Sequence, residues 1–201
     1  MPTILIHGLG QTAAAWGETG KFLESAPLCP ELSGFIGNGS YDELYRGFCA
    51  YLDALEQPPD VCGLSLGAVL ALNYAVDNPG RVRRLALIAP QFRMPKALLR
   101  FQGAAFRLTP KKAFEGSGLT KRQMITLTAD MARLDFTESL GRIKCPVSIA
   151  CGERDRANVK AARELSALLP GSRITIISGA GHEVNVGSPQ DAARFITESF
   201  S

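Results

Sequence analysis

The chain predicts an α/β fold: a doubly wound, mainly parallel sheet of about six strands, with a small helical insertion after the strand ending near Ala89. Three observations carry this. Short continuous apolar runs (Ile4-Leu5-Ile6, Leu85-Ala86-Leu87-Ile88, Val147-Ser148-Ile149-Ala150) have the pattern of strands buried on both faces. Stretches of helical period separate most of them, and strand–helix alternation means a parallel sheet covered on both sides. The alternation fails only between residues 91 and 140, where helical spacing recurs without a strand. The chain therefore divides into a core, 1–90 and 141–201, and an insertion, 91–140. At 201 residues and 46% hydrophobic it is long enough for one sizeable core.

In order, Thr3-Ile4-Leu5-Ile6 is a buried strand running into the glycine-rich loop His7-Gly8-Leu9-Gly10. Gln11 and Thr12 open a helix reaching about Ser25, with Trp16 on its inner side. Pro27–Leu32 reads as an edge strand, because its prolines cannot donate to a ladder. Ser40 with Glu43 forms a capping box for a helix whose inward residues are Leu44, Phe48, Tyr51, Leu52 and Leu55. The strand Asp60-Val61-Cys62 and the helical run from Ala68 come next, then the strand Val82–Ala89. In the insertion, Met94, Leu98, Phe101, Ala105 and Leu108 make one apolar helical stripe, and Thr120 with Gln123 caps a second helix. The strand Cys145–Gly152, a helix over 156–169, the strand Ser172–Ser178 and a last helix from Ser188 complete the fold. Pro189 suits the first position of that helix.

Composition excludes several classes. Lys and Arg number 22 against 19 Asp and Glu, a balance of +3 that is too mild to argue for nucleic acid. No apolar run reaches the roughly 18 residues of a membrane span, and no secretory leader precedes the first strand. The five cysteines (Cys29, Cys49, Cys62, Cys145, Cys151) are odd in number and lack metal-type spacing, so they read as free thiols in a reducing cytoplasm.

The chemistry centres on Gly63-Leu64-Ser65-Leu66-Gly67, a G-x-S-x-G pattern between a strand and a helix. Such a turn leaves no room for a Cβ two residues either side of the serine, and it holds the serine hydroxyl clear of the sheet. A nucleophilic serine needs a base, and the base needs an orienting acid. Of the two histidines, His182 follows the last strand in Gly179-Ala180-Gly181-His182, at the same carboxyl edge as Ser65. His7 has a structural role, hydrogen-bonding the loop beneath the site. The acid is Asp155 or Glu153, both just after Gly152. Asp155 is favoured because the order Ser, Asp, His then matches the one such folds use. Pro90-Gln91-Phe92-Arg93, after the preceding strand, contains no acid. Two backbone N–H groups, those of Leu9 and Leu66, are placed to hold a developing oxyanion.

Taken together, His7-Gly8-Leu9-Gly10 with Trp16, the elbow at Ser65, Gly152-Glu153-Arg154-Asp155 and Gly181-His182 resemble the α/β-hydrolase superfamily. The likeness is to its lipid-esterase, carbon–carbon hydrolase and MenH branches, and it covers nearly the whole chain. It implies an eight-stranded template with a helical cap after the sixth strand, and neither cofactor nor metal. Two departures stand out. The template's N-terminal hairpin has no counterpart, which implies an all-parallel sheet. Leu64 replaces the histidine common before the nucleophile, which implies a more apolar pocket floor.

The implied function is a serine hydrolase that cleaves a carboxylic ester or thioester of a small molecule through Ser65, Asp155 and His182. A carbon–carbon hydrolase or lyase using the same residues, or a binding protein that keeps the fold without turnover, is the alternative. Arg100, Phe101 and Met124 are the cap residues expected at the substrate. From Gln91 to Ile125 eight bases stand against Glu115 alone, a local charge of +7. This is either a solvated face opposite the apolar stripe or a guide for an anionic substrate.

Overall fold

The computed structural model describes residues 1–201, apart from the side chain of Leu98. The described residues form one five-stranded sheet in the order β1 (Thr3–Ile6), β2 (Asp60–Leu64), β3 (Arg84–Ile88), β4 (Val147–Gly152), β5 (Arg173–Ile177). Every pairing is parallel, and the registers run Ile4 to Val61, Val61 to Leu85, Leu85 to Val147 and Ile149 to Ile174. β2 and β4 are buried along their whole length, as strands covered on both faces must be. The sixth member survives as a single parallel bridge, in which the Leu28 N–H donates to the Thr3 carbonyl and the Leu5 N–H donates to the Leu28 carbonyl. Pro27 and Pro30 lack the N–H groups that would lengthen it.

Helices α1 (Gly17–Gly20), α2 (Tyr41–Asp53), α3 (Leu66–Asp77), α4 (Lys96–Leu108), α5 (Lys121–Met131), α6 (Arg156–Leu168), α7 (Val184–Gly187) and α8 (Pro189–Phe200) complete the fold. α3 is buried from Leu66 to Val76, and its apolar residues point in every direction, which marks a central helix. The first helix is shorter than the sequence suggests: a 3₁₀ turn over Ala13–Trp16 and then one α turn. Gly17 and Gly20 lie within that run, and glycine costs about 1 kcal/mol in a helix interior. The box at α2 is half formed. Ser40 accepts the Glu43 N–H at 3.2 Å, while the Glu43 carboxylate turns outward to accept the Asn38 N–H at 2.7 Å. The box of Thr120 and Gln123 on α5 is complete.

Helices fill the chain between β3 and β4, and among the described residues its one strand-like contact is an isolated antiparallel bridge between Arg93 and Asp135. α5 buries Met124, Leu127, Thr128 and Met131. α4 differs from the sequence reading. Leu99 is its buried residue, Gln102 and Phe106 are half-buried on the same side, and Phe101 and Leu108 stand in solvent. Apolar residues lie on two sides of α4, so two stripes of helical period compete, and contact with α5 selects the one through Leu99. Leu98, part of the other stripe, lies outside the described side chains.

Candidate active site

Four strand ends supply the site, all at the carboxyl edge of the parallel sheet. At the end of β2 the chain turns sharply through Ser65, whose φ of 53° and ψ of −111° place it in a region that non-glycine residues rarely occupy. A Cβ on Gly63 would stand 2.2 Å from the Gly67 carbonyl oxygen, and one on Gly67 2.3 Å from that of Ile6. Glycine at both positions is what lets α3 start so close to β1 and β2. The other non-glycine residue at positive φ among those described is Ala89 (φ 50°), at the end of β3.

Ser65, Leu9, Leu66, Asp155 and His182 line one cavity of about 550 Å³, with Val69, Leu99 and Met131 among its apolar walls. The Asp155 carboxylate accepts a 2.6 Å hydrogen bond from His182 Nδ1. That bond fixes the tautomer and leaves Nε2 free as an acceptor. Burial raises the pKa of Asp155, but hydrogen bonds from His182 and Asn158 outweigh it and hold the carboxyl below its ordinary value. Glu153 does different work. Its carboxylate accepts the Gly179 N–H at 2.8 Å and the Ser178 hydroxyl at 3.3 Å, fastening the loop that carries His182. Two backbone bonds join the same loops: Glu153 N–H donates to Ile177 O at 3.0 Å, and Arg154 N–H to Ala180 O at 2.9 Å.

Among the described residues neither the Leu9 nor the Leu66 N–H has a hydrogen-bond partner. Leu66 opens α3, so the positive end of the helix dipole faces the cavity. The β1 loop runs alongside the serine, since a Cβ on Gly8 would lie 3.5 Å from Ser65 Cβ. No hydrogen bond joins Ser65 Oγ to the His182 ring among the described residues.

Sequence reasoning missed two pairs of amide side chains. Asn158 on α6 donates to both Asp155 oxygens, at 2.9 and 2.8 Å, while its own carbonyl accepts from Gln91 Nε2 at 2.7 Å. Gln11 Oε1 accepts the Gly8 N–H at 3.1 Å, and its amide exchanges two 3.2 Å bonds with Asn185, three residues beyond His182. The loop beside Ser65 is thus tied to the loop of His182 through buried side chains. No sequence motif announces either pair. Their partners are far apart in the chain, so no local spacing points to them.

The other expected residues are placed as follows. His7 is buried; its Nε2 accepts the Leu32 N–H at 3.2 Å and its Nδ1 lies 3.0 Å from the Gly8 carbonyl, so it anchors the β1 loop. Of the three cap candidates only Phe101 lines the cavity. Arg100 faces a separate groove between α4 and α5, and Met124 is buried beneath Gly10. Leu64 is fully buried and lines no part of the cavity, because the elbow turns it away from Ser65 and under Gly8. Burial pushes the Cys29 and Cys145 thiols up to about 11; burial and the Asp155 charge push Cys151 up to about 12. These thiols stay protonated at neutral pH and are poor nucleophiles.

Comparison with known proteins places the chain among hydrolases. The chain is 24% identical to a monoacylglycerol lipase of Mus musculus over 89% of its own length, but spans only 57% of that protein. It is 27% identical to a pimeloyl-[acyl-carrier protein] methyl ester esterase of Aromatoleum aromaticum, over 97% of this chain and 96% of the relative. Among solved structures, MenH from S. aureus superposes with a TM-score of 0.81 at 15% identity, covering 100% of this chain and 95% of that one. The enol-lactonase of Burkholderia xenovorans gives 0.82 at 16%, over 99% and 91%. At such identities these two likenesses speak for the fold alone. The model of the Alpha/beta hydrolase family matches residues 3–195, and the chain belongs to that family.

Proposed function

We propose that the protein is a serine hydrolase that cleaves a carboxylic ester of a small molecule through an acyl-enzyme. One observation carries the reading: a serine on strained backbone shares a cavity with a histidine already paired to a carboxylate. Ser65 Oγ attacks the ester carbonyl carbon while His182 Nε2 takes its proton. Asp155 holds the ring and stabilises the imidazolium that forms. The oxyanion is received by the Leu9 and Leu66 N–H groups, which have no other partner among the described residues. The tetrahedral intermediate collapses, and the alcohol leaves with the proton from His182. Water, deprotonated by the same ring, then attacks the acyl-enzyme and releases the carboxylic acid. The Ser65–His182 bond is made when substrate closes the site, since such bonds are often long in an empty enzyme.

Helices α4 and α5 act as a cap over this chemistry and set the substrate. The cavity walls are mainly apolar, and Asp155 and His182 are the titratable groups among them. That supports an uncharged acyl chain. It does not support an acidic one, because the Arg100 guanidinium lies in the other groove. The monoacylglycerol lipase and the methyl ester esterase both act on esters by name, which favours an ester over a thioester.

A fluorophosphonate probe tests the nucleophile. Labelling of the native protein at neutral pH, lost in Ser65→Ala, is the expected result, together with turnover of p-nitrophenyl esters. No labelling would overturn the reading. Labelling without turnover of any ester would point to carbon–carbon cleavage, a lyase or a binding protein.

A further inference from the structure

We propose that the outer face of α4 docks on an anionic lipid bilayer, so that an acyl substrate passes from the membrane into the Ser65 cavity. The observation is a helix that is apolar on the side turned away from the protein. Leu99, Gln102 and Phe106 face inward, yet Phe101 is 74% exposed and Leu108 87% exposed. With the exposed Ala97 and Ala104 they recur at i, i+4, i+7 and i+11, within about 60° of arc at 3.6 residues per turn. Core packing gives no reason for this stripe. Hydration disfavours it, and a contiguous exposed apolar patch marks an interaction surface.

Charge names the occupant. Lys96, Arg100 and Arg107 run along one border of the stripe, and Lys111 and Lys112 follow just past the helix end. All five are exposed, and among the described residues none forms an ion pair. A helix with Phe and Leu on its free face and unpaired Lys and Arg beside them suits the boundary between headgroups and acyl chains, lying in the plane of the surface. It is not a span: no helix of the described residues is long and apolar enough to cross a membrane. Phe101 links the face to the chemistry, since its ring belongs both to the exposed stripe and to the cavity wall that Ser65 shares. An acyl chain leaving the bilayer beside Phe101 enters the cavity without crossing water. An acidic protein partner would be met by the cations alone and would leave the stripe unexplained.

The docking claim does not depend on the hydrolase reading, but its use for substrate delivery does. The experiment therefore measures binding, in both the parent and Ser65→Ala, by sedimentation with vesicles of phosphatidylcholine alone and of phosphatidylcholine with phosphatidylglycerol. Both proteins are expected to sediment with the anionic vesicles only, and less so as salt rises. Lys111→Gln with Lys112→Gln should weaken this about 25-fold, at about fivefold per cation. Phe101→Ser with Leu108→Ser, both at exposed positions, should abolish it while the circular dichroism spectrum is unchanged. The proposal is overturned if the parent ignores anionic vesicles, or if the Phe101–Leu108 variant still binds them. Failure to bind vesicles combined with capture of an acidic acyl carrier protein would reassign the face to a protein. A dimer that the same variant dissolves would reassign it to a second copy. A parent protein that binds vesicles but reacts with neither the fluorophosphonate probe nor any ester leaves docking standing and removes only the delivery role.

Discussion

The floor of the cavity and its roof are built by different rules. The floor is the carboxyl edge of the sheet, and its geometry is set by backbone. Glycines at 63, 67 and 152 let chain segments approach to where a Cβ would lie 2.1–2.3 Å from a carbonyl oxygen. Hydrogen bonds then lock the loops: Ser65 N–H to Ile88 O at 2.9 Å, Ala89 N–H to Ala150 O at 2.8 Å, Arg154 N–H to Ala180 O at 2.9 Å. The roof is held by side chains. α5 is anchored through Gln123 to the Gly37 carbonyl and through Asp130 to the Tyr41 N–H. α4 rides on it through Leu99 and through Lys121, which reaches the carbonyls of Arg107 and Thr109, and packs on the turn that follows it through the Phe106–Phe114 edge contact. Geometry is over-determined where the proposed reaction needs fractions of an ångström, and loose where a substrate is only enclosed.

Substitutions in the floor should therefore cost most. Ser65→Ala removes the proposed nucleophile and should lower turnover by about 10⁶, as when one member of such a unit is deleted elsewhere. Residual turnover within a hundredfold of the parent would put the reaction somewhere else. Asp155→Asn should lose about 10⁴ in kcat, because the amide favours the wrong tautomer of His182. Glu153→Gln keeps an acceptor for the Gly179 N–H and should stay within about tenfold, a barrier change of about 1.4 kcal/mol. If the two results are exchanged, His182 is oriented by the other carboxylate in solution.

Asn158→Leu should come next. It removes two donors from a half-buried carboxylate, and hydrogen bonds to charged groups contribute about 1.5–3 kcal/mol each. A loss of about ten- to a hundredfold in kcat/KM is expected, and Gln91→Ala, acting one step further out, should cost less. The pH dependence has a definite sign. Asp155 has a depressed pKa, so its stabilising contribution is present above the ordinary carboxylate value and is lost as pH falls through the lower, folded value. Without the Asn158 donors the folded value rises, and the loss begins at higher pH. Thermal unfolding of parent and variant between pH 3 and pH 7 measures this directly; superimposable curves would mean that Asn158 does not tune the carboxylate.

The same contrast explains what could be read in advance. The floor was legible because its constraints are local. A tight turn demands Gly63 and Gly67, and a loop after a strand demands the short run from Gly152 to Asp155, so each leaves a mark on neighbouring residues. The apolar runs of β1 to β4 were equally plain, and only the Pro27–Leu32 strand shrank to one bridge. The roof was not legible, because Lys96–Leu108 is apolar on two sides and the choice between them is made by α5, a partner some 20 residues away. Gln91 with Asn158 and Gln11 with Asn185 escaped for a similar reason. Each pair is separated by 67 or 174 residues, and a lone amide carries no pattern.

Two identical substitutions bring the comparison to its finest point. In Gly152→Ala the new Cβ would sit 2.1 Å from the Gly181 carbonyl oxygen, inside the backbone that carries His182. One segment must move, at a cost of about 1–3 kcal/mol or more, and turnover should fall with stability because the histidine moves too. In Gly103→Ala, at mid-α4, the new Cβ meets nothing within 4 Å. The helix there gains a residue that restricts the unfolded chain, which should raise stability by about 0.5–1 kcal/mol. That corresponds to a melting temperature higher by about 1–4 °C in a chain of this size. Opposite signs for one chemical change would show that the floor is closed to an added methyl and the roof open to it. If Gly103→Ala destabilises instead, α4 packs against something the groove of Arg100 and Arg107 leaves empty, and the roof is as tightly specified as the floor.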